Sequence, residues 1–543
     1  MSSRYLIMSF VLNDHQQLSL FDSLGFLSQR KRRMLENSWA ETFSSHIFTH
    51  IDEHIFAPLY SEKTNSRPNA PINVIVGALI LKEFTGMTDD EIRESCEFDF
   101  RFQYALHTTS FEEQPISDRT FSRFRERCEA YELTTGEDLI HQCIVSLSEE
   151  IRQYMGISKN IRRMDSMMIE ANIRKMGRLE LLYTCISSLV KRIQKDGALD
   201  LLSAFDHYAK ANDRNRVVYH ESDLPQADRL QIVISDAAQL LPLCKEDYEQ
   251  TEEYQLLERA LNEQTKDDGK GGRSPKGKGE MDSSVLQNPS DPDATYRMKA
   301  GKAHRGYVAN LTEAVNENGS VVTDYQYDVN TRSDRSFLLE AIDRMEASEE
   351  TSAVITDGAY DGGDVKEKAA EKNIGILTTG LTGRKLRKDY ERFRLSEDGT
   401  KVLACPEGKE PKQSSYDPDR KRIRVSFYKE QCGNCPRRSE CRPTFKVRTA
   451  LLHLPSGNSR TVQKLRDRRK EEETWKIIGR IRNGIETVPS IIRNKYRVDH
   501  MPVRRKLRTK QFFGFKVAAL NFTKLILHEK EQEFCRTFLQ ELG

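Results

Sequence analysis

Residues 352–380 read SAVITDGAYDGGDVKEKAAEKNIGILTTG. The apolar run at the start stops on Asp357 and turns at Gly358; a helix-like stretch follows, then a second apolar run from Ile374 to Leu377. This is strand, turn, helix, strand. A carboxylate at the end of a buried strand serves either as a turn or cap residue or as part of a site. A single acid does not decide between them, so the question passes to acids elsewhere in the chain.

The segments before this one extend the same layer. GYVANLTEAVNENGSVVTDYQYDV (306–329) reads as a hairpin around Asn318-Gly319, and DRSFLLEAIDRMEA (334–347) as a helix. Further upstream, IRRMDSMMIEANI (161–173) reads as a strand, followed by a long helical stretch to about Asn262. Residues 262–293, rich in Gly, Ser, Lys and Pro, read as a flexible linker. The order predicts an α/β fold with a mixed sheet.

Two further acids stand out. In the 161–173 strand, alternation puts Asp165, Met167 and Ile169 on one face, with Met164, Ser166 and Met168 on the other. An acid among apolar neighbours is costly to bury unpaired, so Asp165 is either half of a structural salt bridge or a site residue. Glu170, at odd spacing, falls on the opposite face. In IIGRIRNGIETVPSIIRNKYRVDHMP, Glu486 has Arg482 one helical turn before it and Arg493 two turns after. One shared face would make this a site or a surface ion-pair ladder, and Pro489 would kink or restart the helix.

The first 155 residues read as mostly helical. PINVIVGALILKEF (71–84) is an apolar helix opened by Pro71, Gly86 is a turn, and Thr88 with Glu91 forms a capping box. ISDRTFSRFRERCEAY gives a helix with Ser117 as N-cap, Phe121 and Phe124 inward, and Arg119, Arg123, Arg125 and Arg127 outside. Short helices ending in an Arg-rich one fit a helix-turn-helix DNA reader or an ordinary bundle.

The chain has 543 residues, 37% hydrophobic and 31% charged, enough for several domains. No apolar run reaches the roughly 20 residues of a membrane span, and the N-terminus carries no export signal, so a cytosolic protein without a membrane partner is expected. From Ser456 to Lys516 there are 18 Lys or Arg against 6 Asp or Glu, although the whole chain is only +2. Such asymmetry points to a polyanion, nucleic acid before membrane, or to a solvated charged face.

Taken together, the chain resembles the DDE transposases of bacterial insertion sequences with an InsH-like helical N-terminal domain. The resemblance rests on IDEHIFAPLYSEKTNSRPNAPINVIVGALILKEFTGMTDDEIRESCEFDFRFQYAL, MDSMMIEANI, ITDGAYDG and RNGIETVPSIIRNKYRVDHMPVRRK, spread over about residues 45–527. It implies an RNase H-like catalytic core, with Asp165, Asp357 and Glu486 as its catalytic acids and metal ligands. Arg482 matches the family's Arg four before the Glu, and Arg493 its basic residue seven after; the expected Tyr is replaced by Gly479. Three acids suit a reaction that needs two Mg²⁺ or Mn²⁺ ions roughly 3.5–4 Å apart to cleave phosphodiesters. The implied partners are the element's terminal inverted repeats and target DNA, bound by a homodimer.

The expected domains are a helical DNA-binding region (1–155), the first part of the core with a helical insertion at about 180–262 (156–383), a Cys-containing insertion (384–455) and a basic helical part of the core (456–543). DNA contacts are expected from Arg119, Arg123 and Arg127 for sequence, and from Arg482, Arg493, Arg504, Arg505, Lys506 and Arg508 for the backbone. His304 is either structural or a phosphate contact. Cys405, Cys432, Cys435 and Cys441 lie within 37 positions, with one C-x2-C, and either bind structural Zn²⁺ or remain free thiols. The alternative function is a transposase-derived DNA-binding protein that does not cut; a nuclease without strand transfer is a third reading.

Overall fold

INVIVGALILKEFT (Ile72–Thr85) is apolar all round, so its helix has to be covered on every side. Pro71 precedes its first turn and Gly86, at φ 76°, ends it in the left-handed conformation. A Cβ at Gly77 would sit 2.7 Å from the end of the buried Leu106 side chain, which would have to move to admit any larger residue. The expected capping box of Thr88 and Glu91 opens the next helix, Asp89–Phe98. The Arg-rich helix runs from Thr120 to Thr135 with Phe121 and Phe124 buried, but Ser117 is not its cap. Residues 117–120 form a turn in which Thr120 N–H donates to Ser117 O, which leaves Arg119 at the N-cap position.

The computed structural model describes residues 9–13, 22–61, 67–109, 116–198, 203–219, 224–269, 271–299, 301–347, 349–379, 390, 392–418, 420, 422–455, 457 and 472–542, without the side chains beyond Phe534. The basic run Arg460–Lys470 lies outside them. The chain divides into two units, Met1–Glu340 with Glu486–Gly543, and Ala341–Ile485. No described helix is long and apolar enough to cross a membrane.

In the first unit, strand Ile161–Glu170 pairs antiparallel with the long strand Lys302–Asn316. That strand also pairs with Gly319–Val329, forming the expected hairpin with its turn one position earlier, at Glu317-Asn318, since Gly319 pairs with Asn316; it pairs with Thr295–Lys299 as well. The C-terminal helix Lys506–Leu542 packs over the strand Gly319–Val329 and beside the helices Ile72–Thr85 and Leu139–Tyr154. Its Gly514 passes so close to Tyr325 that a Cβ there would overlap the hydroxyl. Buried Lys516 pairs with buried Glu83, tying the last helix to the first apolar one.

Between the first strand and Thr295, helices Arg178–Lys195, Gln226–Leu243 and Glu252–Gln264 form a bundle with its own core, including Leu182, Ile186, Leu189, Ile234 and Leu257. Residues 262–293 are more than a linker. They hold a strand pair (Thr265–Asp267 with Arg273–Pro275), insert Leu286 into the bundle core, and bury Asp291 against the Tyr307 hydroxyl. A few anchors outweigh a composition that is polar on average.

The second unit contains the opening segment. Strand Ser352–Thr356 pairs in parallel with Ile374–Thr378, and helix Gly363–Glu371 connects them. Beyond it, Gln413–Asp417, Arg422–Tyr428, Thr449–Pro455 and Thr444–Phe445 make a four-stranded antiparallel sheet around Ile423, Val425, Phe427, Leu452 and Leu454. The chain is thus mixed α/β with a helical N-terminal region. Its chain order after residue 160, four antiparallel strands (the first followed by the helical bundle, the second the short Thr295–Lys299), then helix, strand, helix, strand, is that of an RNase H-like core with one short extra strand.

Candidate active site

Asp357 follows the last residue of its strand. One carboxylate oxygen, Oδ1, accepts the Ala359 N–H at 2.8 Å and caps the 3-10 turn Gly358–Tyr360. The other, Oδ2, lies 4.0 Å from Arg482 Nη2; the Asp side chain is 38% exposed and the Arg side chain 12%. The turn and site readings are therefore compatible: the turn fixes the carboxyl's orientation and leaves it open to solvent. The neighbouring acids are used locally. Asp361 pairs with Lys366 at 2.7 Å, and Asp364 accepts the Val365 N–H.

Asp165 sits mid-strand opposite Leu311, half-buried, with Oδ1 accepting the Ser166 N–H at 3.0 Å. The acid buried completely in this sheet is Glu313, at 0% exposure between Arg163 (2.6 Å) and Lys524. Burial alone would raise its pKa, but Lys524 and Arg163 outweigh that and hold it below the usual carboxylate range. Sequence reading missed this trio, whose only signal was an acid inside the apolar run LTEAV. Glu170 is engaged by His304 Nδ1 at 2.7 Å and by the Arg305 N–H, so His304 has a structural partner.

Glu486 ends a 3-10 turn, Gly484–Glu486, between helices Glu473–Asn483 and Thr487–Asn494. The helix restarts at Thr487, which places Pro489 in the first turn, where its missing N–H costs nothing. The break means that Arg482, Glu486 and Arg493 do not share one continuous helical face. Arg493 donates to Asp499 Oδ2 at 2.7 Å and to the Met168 carbonyl at 2.8 Å, while Asp499 Oδ1 accepts the Glu170 N–H at 3.0 Å. The helix after Glu486 is thereby tied to the strand that carries Asp165.

The expected backbone-contact group has other uses. Arg504 donates to the Asn172 carbonyl at 2.7 Å, Arg505 pairs with Glu252, Lys506 with Asp328 at 3.2 Å, and Arg508 with Glu129 at 2.9 Å. These partners lie 178 to 379 positions away, a distance at which charge content along the sequence carries no pairing information. Asp165 and Glu486 belong to the first unit, Asp357 and Arg482 to the second. Among the described residues, no group of three or more His, Cys, Asp or Glu is arranged to hold a metal ion as it stands.

Arg119, Arg123 and Arg127 line a groove of about 730 Å³ together with Tyr60, Arg67 and Arg93. Arg119 and Arg123 are exposed, Arg127 stacks on Tyr60 at 4.9 Å, and Arg125 is held by Asp89. Arg67 and Arg93 went unnoticed in the sequence because they lie on other segments. Cys405, Cys432, Cys435 and Cys441 line a single cavity in the second unit.

The family model for the transposase DDE domain matches residues 273–522, and the one for the transposase domain DUF772 matches residues 32–127. The chain belongs to the insertion-sequence-type DDE transposases. The transposase is therefore an enzyme that acts on DNA with divalent metal ions, and the non-cutting alternative is not favoured. The DDE match begins after Asp165, and it includes Asp357 and Glu486. No curated protein sequence matches the transposase. Among solved structures, a piggyBac transposase synaptic complex with hairpin DNA aligns over 92% of this chain and 77% of that one, at 9% identity and a TM-score of 0.31.

Proposed function

We propose that Asp165, Asp357 and Glu486 are the catalytic acids of this transposase and ligate two Mg²⁺ or Mn²⁺ ions. The donor set fits: three carboxylates are hard oxygen ligands, suited to these cations, whereas the clustered thiols suit softer ones. When bound, such ions activate the attacking oxygen and stabilise the leaving one. The chain's own residues orient these ligands. Ala359 N–H fixes the Asp357 carboxyl, Arg482 supplies positive charge beside it, and Arg493 with Asp499 steadies the segment after Glu486.

The reaction proceeds in two displacements. Water attacks the phosphorus at the element's end and breaks the P–O3′ bond, freeing a 3′-hydroxyl. That hydroxyl then attacks a target phosphodiester, forming a new P–O3′ bond as the target's own 3′-oxygen leaves. Arg119, Arg123 and Arg127 would read the terminal inverted repeats from their groove, in a dimer that synapses two ends in the bacterial cytoplasm. The observation that carries this reading is the Asp357 carboxyl, oriented by its turn yet open to solvent beside a half-buried arginine. The test is Asp357→Asn with end-containing DNA and Mg²⁺. Cleavage should disappear while specific binding persists; cutting at the wild-type rate would make Asp357 structural.

A further inference from the structure

We propose that Cys405, Cys432, Cys435 and Cys441 bind one Zn²⁺ ion that staples the insertion of the second unit. Cysteine is normally among the most buried residues. Five described cysteines of the chain, Cys96, Cys128, Cys143, Cys185 and Cys244, follow that rule, whereas these four are only half-buried. They are also gathered: all four line the same cavity although Cys405 comes from a segment separate from CGNCPRRSEC (432–441), which carries the other three. Packing as small hydrophobes would draw Cys405, Cys432 and Cys441 to the apolar core beside them, but it would not leave all four cysteines half-exposed around one cavity.

The local backbone presents each thiol from a turn or helix end. Around Cys405, the Gly408 N–H donates to its carbonyl at 2.8 Å and its own N–H donates to the Lys409 carbonyl at 2.9 Å, a tight turn closed by Gly408 at φ 73°. Cys432 lies in the short helix Lys429–Gly433, Cys435 precedes a turn closed by Arg438 N–H to its carbonyl at 3.0 Å, and Cys441 ends the helix Arg438–Cys441. As they stand the sulfurs line the cavity without converging, and rotation about Cα–Cβ is the freedom a metal would use to draw them in to about 2.3 Å. Each thiol loses its proton as its Zn–S bond forms. Four thiolates around Zn²⁺ carry a net charge of −2, and Lys409 and Arg438 line the same cavity to offset part of it, whereas Arg437 is already paired with Glu407 and Glu440.

The insertion has a reason to need such a staple. Its core consists of Phe393, Val402, Ile423, Val425, Phe427, Leu452 and Leu454, against which Cys405, Cys432 and Cys441 pack. So few apolar side chains are at the margin of independent stability, where small domains recruit metals or disulfides.

The test uses full-length protein purified without chelator. Elemental analysis should find about one Zn per chain, released by a thiol-blocking mercurial, and equally present in Asp357→Asn. Cys432→Ser combined with Cys435→Ser should lose it. Co²⁺ added to metal-stripped wild type should give the thiolate charge-transfer and tetrahedral bands of a sulfur site. Neither Zn nor a Co²⁺–thiolate spectrum in folded wild-type protein would overturn the proposal. Iron with matching inorganic sulfide, or a Cys432–Cys435 disulfide, would overturn it too.

Discussion

Replacing Arg493 by alanine separates a strut from a DNA contact. The substitution removes the 2.7 Å bond to Asp499 and the 2.8 Å bond to the Met168 carbonyl. Hydrogen bonds to charged groups contribute about 1.5–3 kcal/mol each. The Arg493 side chain is 43% exposed, so water screens the pair, and Asp499 retains the Glu170 N–H. A loss of about 2 kcal/mol is therefore expected, roughly a thirtyfold shift in the folded–unfolded ratio. Urea unfolding measures it, and Asp499→Asn should lose a comparable amount. The discriminating assay is affinity for random-sequence DNA against salt. A strut leaves the slope unchanged, whereas a lost phosphate contact reduces it by about 0.9. A slope reduced by that much at unchanged stability would refute the strut.

Simultaneous alanines at Arg504, Arg505, Lys506 and Arg508 should lower the unfolding midpoint and leave the salt slope of DNA binding almost unchanged, because these cations already have protein partners. Arg123→Ala, in the open groove, should narrow the gap between element-end and random DNA by about 1–3 kcal/mol, read by competition binding. Lys516→Ala leaves buried Glu83 with Lys82 at 3.0 Å as its remaining cation and should cost about 1.5–3 kcal/mol, the worth of one hydrogen bond to a charged group, in chemical denaturation. Glu149 should contribute to acid sensitivity. Burial raises its pKa, but hydrogen bonds from Arg152, Gln153 and Lys159 outweigh this and bring it down to about 2. Its stabilisation is complete above the ordinary carboxylate range and fades as pH falls toward 2, so Glu149→Gln should flatten the stability–pH curve there.

Local rules made part of this fold legible. The strand–turn–helix–strand at 352–378, the hairpin within 306–329 and the Thr88–Glu91 capping box all depend on neighbours within a few positions. So did Pro489, whose restart of the helix at Thr487 follows from its missing N–H. Long-range pairing escaped the sequence. Nothing near Arg505 announces Glu252, and nothing near Glu313 announces Lys524. Composition misled at 262–293, since Leu286 and Asp291 anchor a stretch whose average character is that of a linker. The single helical face proposed for Arg482, Glu486 and Arg493 failed because the 3-10 turn at Gly484–Glu486 breaks the phase. Of the site itself, the strand-end position of Asp357 was readable, but its division between a turn cap and the Arg482 side was not.

The central claim is that Asp165, Asp357 and Glu486 hold the same pair of ions. Fe²⁺ bound in place of Mg²⁺, with ascorbate and peroxide, generates hydroxyl radicals that cut the polypeptide beside the metal. With the transposase assembled on end-containing DNA, cuts should fall near residues 165, 357 and 486 together, and excess Mg²⁺ should suppress all three in parallel. Cuts near only one of the acids, or cuts that Mg²⁺ fails to suppress, would contradict the shared site.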